Sequence, residues 1–339
     1  MNMSSLVQSS QPKPKLSIVD RSVNSILNDP DNTASRKDGI SASLERQHRL
    51  HGTSLLSSAS RLLKLNASTY ASSCTIFHRY CHQVSLKQKM SSVWSVVMAS
   101  TLLACKIEED PRPIRHVILM YARLYRKRRL VMCEDKDAEQ ISKDQNVAVS
   151  ELAKTTTCTS LTDKEARLRQ VKPMSPLGPV YQEWYKEIVE MENLVLRQLG
   201  FTLYWIPDSH PHTFILYFVR VLEINQKEFS VKAWNYCNDS CRLDLCLQFA
   251  PEVIACTAIL LAAKDCQVQL PNSSNGKAAS WWHVFVGKDR DEQLSAIGNA
   301  ILTLQDSSIE LKIATQAFLS PLGGETFNDP DSYLWDVAD

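Results

Sequence analysis

Two helices that are apolar on every side constrain the fold of this chain more than any other feature. The first ends in the run LLACK at 102–106, and the second ends in the similar run LLAAK at 260–264. A helix without a polar face is stable only when other helices enclose it. Pro111 and Pro271 follow within several residues, and proline does not continue a helix. The repeat therefore predicts two small bundles in tandem, each wrapped around its own central helix.

The spacing of apolar residues predicts the helices that surround the two central ones. Ser41 and its neighbours are cap-type residues, and leucines at intervals of three to four follow them. Further helices are predicted at 67–82, 93–106, 113–125, 181–199, 211–222, 231–249, 251–264 and 292–304. No segment shows sustained alternation of apolar and polar residues, and glycine occurs only nine times. The predicted fold class is all-α, with two tandem repeats of five helices.

Changes in composition predict where the bundles begin and end. Residues 1–39 are rich in Ser, Asn, Asp and Pro, which predicts a disordered N-terminal tail. No aromatic residue occurs between Arg126 and Pro179, and we expect a largely disordered insertion at about 127–178. The predicted organisation is a first bundle at 40–205 that contains this insertion, a second bundle at 206–308 and a flexible acidic tail at 309–339.

The charge balance and the cysteine pattern exclude several classes of protein. Lys and Arg number 38 and Asp and Glu number 37, which argues against binding nucleic acid by bulk electrostatics. The ten cysteines form no CxxC pair, which predicts a reducing compartment without disulfides. The longest apolar run, 253–263, is too short to cross a bilayer, and the N-terminus lacks the apolar core of a signal peptide. We expect neither membrane contact nor direct nucleic-acid binding.

The arrangement of charged residues does not fit an enzyme. A catalytic site needs a nucleophile with a base, carboxylates that face one cleft, or a set of metal ligands. Glu108, Glu109 and Asp110 are adjacent, so they cannot all face one substrate. His210 and His212 resemble a metal pair, yet they lie where a helix is predicted to begin. The sequence predicts no catalytic residue, no cofactor and no metal site.

Lys106 and Glu192 are the charged residues with the most informative positions. Lys106 ends the first central helix, where an ammonium group complements the negative end of the helix dipole. Glu192 lies about 40° around its helix from Ile188 and about 60° from Val195, at the edge of an apolar stripe. One interpretation is local, with a helix-end lysine and a rim glutamate beside nearby partners. The other is a Lys106–Glu192 pair on a flat surface that hydrogen-bonds the backbone of a partner.

Several long stretches resemble the cyclin family, and within its transcriptional branch the L-type cyclins. They are LLACKIEEDPRPIRHVI (102–118), MENLVLRQLGF (191–201), HPHTFILYFVRVLE (210–223), WNYCNDSCRLDLCLQFAPEVIACTAILLAAK (234–264) and SWWHVFVG (280–287). The shorter stretches SRKDGI (35–40) and IFHRY (76–80) also resemble that family. The resemblance implies the cyclin fold, in which each predicted repeat is a cyclin box.

The resemblance also implies a regulatory subunit rather than an enzyme. Such a subunit forms a heterodimer with a cyclin-dependent serine/threonine kinase in the nucleus and activates it in RNA polymerase II transcription and pre-mRNA splicing. The transcription or splicing machinery is a further class of partner. A lysine near the end of the third helix and a glutamate in the fifth mark a cyclin box, and these correspond to Lys106 and Glu192. The kinase-binding residues implied in this way are Lys106, Glu192, Leu103, Ile107, Glu108, Ile114 and Ile118.

Two alternatives remain open from the sequence. Within the family, a K- or T-type cyclin would pair with a different transcriptional kinase. Outside it, a scaffold like the general transcription factor IIB uses the same double repeat to bind DNA and polymerase. That scaffold would need a zinc ribbon and basic DNA-facing loops, whereas this chain has no CxxC, and its second repeat carries Glu223, Asp239, Asp244 and Glu252.

Overall fold

Helices form all of the regular structure in the residues described. The computed structural model describes residues 32–87, 92–125, 174–203, 206–207, 210–270, 280–287 and 290–306. The helices are α1 (Ala34–Lys37), α2 (Ala42–Leu63), α3 (Ala67–Gln83), α4 (Val93–Ile107), α5 (114–125), α6 (Pro179–Gln198), α7 (Pro211–Val221), α8 (Lys227–Ser240), α9 (Leu245–Gln248), α10 (Pro251–Cys266), α11 (His283–Val286) and α12 (Asp291–Asp306). No strand occurs in these ranges, and the predicted all-α class is confirmed. In the same ranges, no helix combines the length and hydropathy needed to cross a membrane.

The first central helix, α4, is enclosed as its apolar surface requires. Every residue from Ser95 to Cys105 is buried, and α2, α3 and α6 pack around the helix. The hydroxyls of Ser100 and Thr101 donate hydrogen bonds to carbonyls of the same helix. The Ser100 hydroxyl donates to the Val96 carbonyl at 2.8 Å, so it leaves no unpaired polar group in the core. Helices α2 to α6 make up this first bundle.

The second central helix, α10, is enclosed in the same way. Nearly all of its residues between Val253 and Ala263 are buried, and α7, α8, α11 and α12 pack against it. The single-turn helix α9 packs on α3 of the first bundle. The structure therefore confirms two helical repeats, each built around a buried central helix.

The two central helices also end in the same turn. The Asp110 N–H donates to the Cys105 carbonyl at 3.1 Å, and the Val268 N–H donates to the Ala263 carbonyl at 3.0 Å. The residue before each donor is left-handed, with φ of 51° at Glu109 and 54° at Gln267. This backbone conformation is the usual way to close a helix, although glycine takes it most easily. The internal repeat thus extends through the turn, with one lysine in each copy at an equivalent position.

Side chains of α2 and α3 hold the second bundle against the first. His78 Nε2 donates to the Cys241 carbonyl at 3.1 Å. The Thr53 hydroxyl donates to the Arg242 carbonyl at 3.2 Å. Both contacts end at the turn that follows α8.

The helix predicted at 231–249 has the wrong bounds. Helix α8 begins at Lys227 and ends at Ser240, and the separate turn α9 begins at Leu245. The break falls where the carbonyls of Cys241 and Arg242 accept hydrogen bonds from the first bundle. The donors lie 163 and 189 positions away, so the local periodicity of the segment carries no sign of them.

Two segments at the predicted boundaries are packed against the bundles. Helix α1 lies within the predicted tail 1–39, and the Thr33 hydroxyl beside it donates to Glu45 Oε2 at 3.0 Å. Met174, near the end of the predicted insertion 127–178, is buried in the first core. The remaining parts of the predicted tails and insertion, at 1–31, 126–173 and 307–339, lie outside the described residues.

Gly52 marks a close approach between α2 and α3. A β-carbon at this position would lie 2.1 Å from Cζ of the buried Phe77 ring. We expect Gly52→Ala to lower the free energy of unfolding by about 1–3 kcal/mol, because the ring has to shift within a packed core. Urea unfolding followed by circular dichroism measures the change.

The matched control is Gly298→Ala in α12. There a β-carbon would lie 3.6 Å from Cγ2 of Thr257, which is an ordinary van der Waals contact. The gain in helix propensity should raise the free energy of unfolding by about 0.5–1 kcal/mol. A Gly52→Ala protein that is stabilised as well would contradict the close packing of Phe77.

Candidate functional site

Lys106 and Glu192 meet at the edge between α4 and α6. Lys106 occupies the last turn of α4, and its Nζ donates to Oε1 of Glu192 in α6. The lysine side chain is 58% exposed and the glutamate side chain 14%. A pair this open to water contributes about 0–1 kcal/mol to stability, so it is not what holds the two helices together. The packing of α4 on α6 brings together two residues that are 86 positions apart.

The face of α6 that carries Glu192 is partly apolar. Residues 185, 189, 192 and 196 share this face, because seven residues make nearly two helical turns. Tyr185 is 41% exposed, and Val189 and Leu196 are half-buried. The carboxylate is therefore bordered along the helix by apolar side chains that water still reaches.

Ile107 and Ile114 are partly exposed at the adjoining ends of α4 and α5, whereas two further predicted residues are enclosed. Ile107 ends α4 and Ile114 begins α5, and both are half-buried against the first core. Leu103 is 3% exposed and Ile118 is fully buried. Both side chains lie in the core of the first bundle, and their role as partner contacts stays a prediction.

Glu108 faces the second bundle rather than the surface. The Ser72 hydroxyl donates to Glu108 Oε1, and His210 Nε2 lies 3.3 Å from the same oxygen. His210 Nε2 is also 2.8 Å from the Ser72 oxygen. Because the only Ser72 proton goes to the carboxylate, His210 Nε2 carries a proton and donates. The Glu108 side chain is 10% exposed and makes a contact between the bundles, and its place in a partner surface stays a prediction.

Asp110 and Arg112 fasten the turn between α2 and α3. Asp110 Oδ2 accepts from the Asn66 N–H at 3.1 Å, at the start of α3. Arg112 Nε donates to the Leu63 carbonyl at 3.2 Å, at the end of α2. The two side chains pair with each other at 2.6 Å. The charge that follows the first central helix is thus mostly structural, and only Lys106 and the exposed Glu109 point outward.

His210 and His212 have separate partners. His210 joins the contact with Glu108, whereas His212 Nε2 lies 3.1 Å from Asn238 Oδ1. Burial lowers the pKa of His212 to about 4, so the ring is neutral at physiological pH. Within the described part of the chain, no group of three or more His, Cys, Asp or Glu residues could hold a metal ion.

The cysteines with the closest spacing also lie in the core. Cys237 and Cys241 are buried, and burial raises the pKa of both thiols. Burial likewise raises the pKa of Cys246 to about 11. These thiols are therefore protonated at neutral pH, the state in which a cysteine is a poor metal ligand and a poor nucleophile.

Two family models match this double helical repeat. The model of the cyclin N-terminal domain matches residues 22–140, and the model of the cyclin-T2-like C-terminal domain matches residues 210–303. The chain belongs to the cyclin family. Each bundle is thus one cyclin box, and the cyclin fold inferred from the sequence is confirmed.

Curated relatives of this cyclin are L-type cyclins. Cyclin-L1-1 of Oryza sativa subsp. japonica is 30% identical over 76% of this chain and 48% of the relative. Cyclin-L1 of Homo sapiens is 29% identical over 77% of this chain and 40% of the relative. These relatives confirm the resemblance to L-type cyclins seen in the sequence. The chain spans about half or less of the length of the curated relatives it matches.

A solved structure shares the fold of this cyclin. A chain in the crystal structure of the yeast RNA Pol II CTD kinase CTDK-1 complex superposes with a TM-score of 0.55 at 14% identity. The match covers 88% of this cyclin and 75% of that chain. At this identity the likeness shows the fold alone.

The contact of Glu108 with Ser72 and His210 predicts that Glu108 contributes more to the free energy of unfolding than the adjacent Glu109 does. We expect Glu108→Ala to lower the free energy of unfolding by about 1–3 kcal/mol, because it leaves the buried Ser72 hydroxyl without its acceptor and removes one of the groups that His210 contacts. Glu109→Ala, at the exposed neighbouring position, should change it by no more than about 0.5 kcal/mol. Urea unfolding of both variants measures the difference, and equal effects would rule out the contact between the boxes.

Proposed function

We propose that this cyclin binds and activates a cyclin-dependent serine/threonine kinase as its regulatory subunit. The observation that carries the proposal is the Lys106–Glu192 pair on the exposed edge between α4 and α6. The residues correspond to the lysine and glutamate that mark a cyclin box. The kinase complex that contains the structural neighbour supports a kinase as partner.

The pair offers one donor and one acceptor to the backbone of a partner. The Lys106 ammonium has three N–H donors, and Glu192 Oε1 takes one of them. The second carboxylate oxygen of Glu192 can accept from a partner N–H. A main-chain loop offers a carbonyl to the lysine and an N–H to the carboxylate at fixed spacing. The pair is therefore suited to hold the loop that precedes the kinase's C-helix.

The apolar side chains beside the pair supply the remaining contact. Tyr185, Val189 and Leu196 share the face of α6 that carries Glu192, and the partly exposed Ile107 and Ile114 lie at the adjoining ends of α4 and α5. A kinase helix laid across them would bury apolar area, which is the main source of affinity in such contacts. The kinase then forms its own Lys–Glu ion pair and its activation loop opens, so the cyclin contributes geometry and no catalytic group.

The L-type resemblance supports a role for the complex in RNA polymerase II transcription and pre-mRNA splicing in the nucleus. The L-type names of the curated relatives favour this branch. A T-type cyclin that pairs with a different transcriptional kinase is the second candidate, which the cyclin-T2-like match of the second box favours.

Replacing the charged pair tests the proposal. We expect Lys106→Ala with Glu192→Ala to abolish recovery of the kinase with the affinity-purified chain, because the loop loses its donor and its acceptor together. Mass spectrometry identifies the kinase, and phosphorylation of a polymerase C-terminal repeat peptide measures its activity. Thermal unfolding should show a folded protein, since an exposed pair contributes little to stability.

Two further variants separate a binding role from a structural one. Lys186→Ala with Glu190→Ala removes the same charges from the far side of α6 and should leave kinase binding intact. The exchange Lys106→Glu with Glu192→Lys keeps an ion pair within the cyclin but reverses what it offers to the loop. We expect the exchanged protein to bind no kinase, and normal binding by it would refute the assigned role.

A further inference from the structure

The second box carries an open groove at the end of its central helix. The groove has a volume of about 610 Å³ and lies between the last turn of α10, the segment 267–270 that follows it and the residues before α11. Its lining residues are Leu260, Ala263, Lys264, Gln267, Val268, Gln269, Leu270, Trp281 and Trp282. The volume falls within the range of established ligand sites.

The groove lies at the end of the central helix of the second box, and the Lys106–Glu192 pair lies at the equivalent end in the first box. Lys264 stands at the position of Lys106, before the same left-handed turn. In the first box the lysine is met by Glu192 of the last helix. The last helix of the second box, α12, has no acidic residue from 293 to 304, and no described carboxylate pairs with Lys264. The adjacent Asp265 lies 3.8 Å from the Lys232 ammonium instead.

A second donor in the groove also lacks a partner. Trp281 is 6% exposed, and none of the described residues accepts a hydrogen bond from its indole Nε1. The neighbouring Trp282 differs, because its Nε1 donates to Asp291 Oδ1 at 2.8 Å. Buried polar groups are nearly always paired, so an unpaired indole N–H beside an open groove points to an acceptor supplied from outside the described residues.

The groove therefore presents donors above an apolar floor. The donors among its lining residues are the Lys264 ammonium and the amide groups of Gln267 and Gln269, and the buried indole N–H belongs to a residue of its wall. Leu260, Leu270 and the ring of Trp282 supply the apolar surface, and none of the described lining residues is acidic. The complementary ligand is a peptide segment with a carboxylate, free carbonyls and a bulky apolar side chain.

We propose that the acidic aromatic segment of this chain at 329–337, DPDSYLWDV, binds in this groove. The segment sets Tyr333, Leu334 and Trp335 between Asp331 and Asp336. From 307 to 339 the chain has six acidic residues and one lysine, which complements the uncompensated charge of Lys264. This inference stands on the second box and is independent of the proposed kinase site.

The connection is long enough for the segment to reach the groove. Helix α12 packs on α10 and ends at residue 306, so the chain leaves the same bundle that holds the groove. The 22 residues from 307 to 328 can span about 70 Å, which exceeds the width of a five-helix bundle. A tether of this kind raises the effective concentration of the segment to the order of millimolar.

A peptide titration tests the groove. The probe is the synthetic peptide of residues 328–339, added to the full chain with Leu334→Ala and Trp335→Ala so that its own segment does not compete. We expect binding of one peptide per chain by calorimetry, weakened about tenfold or more by Lys264→Ala and by Trp281→Phe. Lys227→Ala, an exposed lysine at the start of α8, is the matched control and should bind the peptide unchanged. Absence of binding, or equal binding to the Lys264→Ala protein, would overturn the proposal.

Fluorine NMR of the full chain labelled with fluorotryptophan tests the occupant. We expect the Trp335 resonance of the unmodified chain to differ from that of the free peptide and to move towards it in the Lys264→Ala protein. A Trp335 resonance equal to that of the free peptide in both proteins would refute the intrachain contact.

Discussion

Enclosure of the two apolar helices, α4 and α10, is the constraint on which the rest of this cyclin depends. Each runs through the middle of its box with buried residues on every side. Loss of any flanking helix would turn an apolar face to water, which costs free energy in proportion to the area exposed. Small residues such as Ala99 and Ala258 let the surrounding helices come close. Binding is then confined to the helix ends and outer faces that enclosure leaves free.

Local periodicity was sufficient for the parts of the fold that repeat every three to four residues. It placed both central helices and most of the helices around them. Helical geometry alone set Glu192 at the edge of a buried stripe, where the structure has it. The pairing with Lys106 needed a second source, because the insertion separates the two residues in sequence. The resemblance to cyclins linked them.

Contacts between distant segments were beyond the reach of that reasoning. Glu108 bonds Ser72 and His210, which lie 36 and 102 positions away, and the chain breaks after Ser240 for a similar reason. No pattern within a short window reports such partners. The exposure of Leu103 was also beyond its reach, since a helix that is apolar on every side does not indicate which residues face outward. Composition and periodicity could place the core but not the long-range hydrogen bonds that hold its segments together.

Within seven residues, the turn at 106–112 combines a solvent-facing side chain with side chains that stabilise the fold. Lys106 faces solvent, whereas Glu108 joins the two boxes and Asp110 secures the start of α3. An alanine scan through this turn would report lost partner binding at several neighbouring positions, and the map would look like one continuous epitope. Most of that apparent epitope would consist of folding defects. Proximity in sequence is therefore a poor guide to shared purpose here, and only paired measurements of stability and affinity can divide the turn correctly.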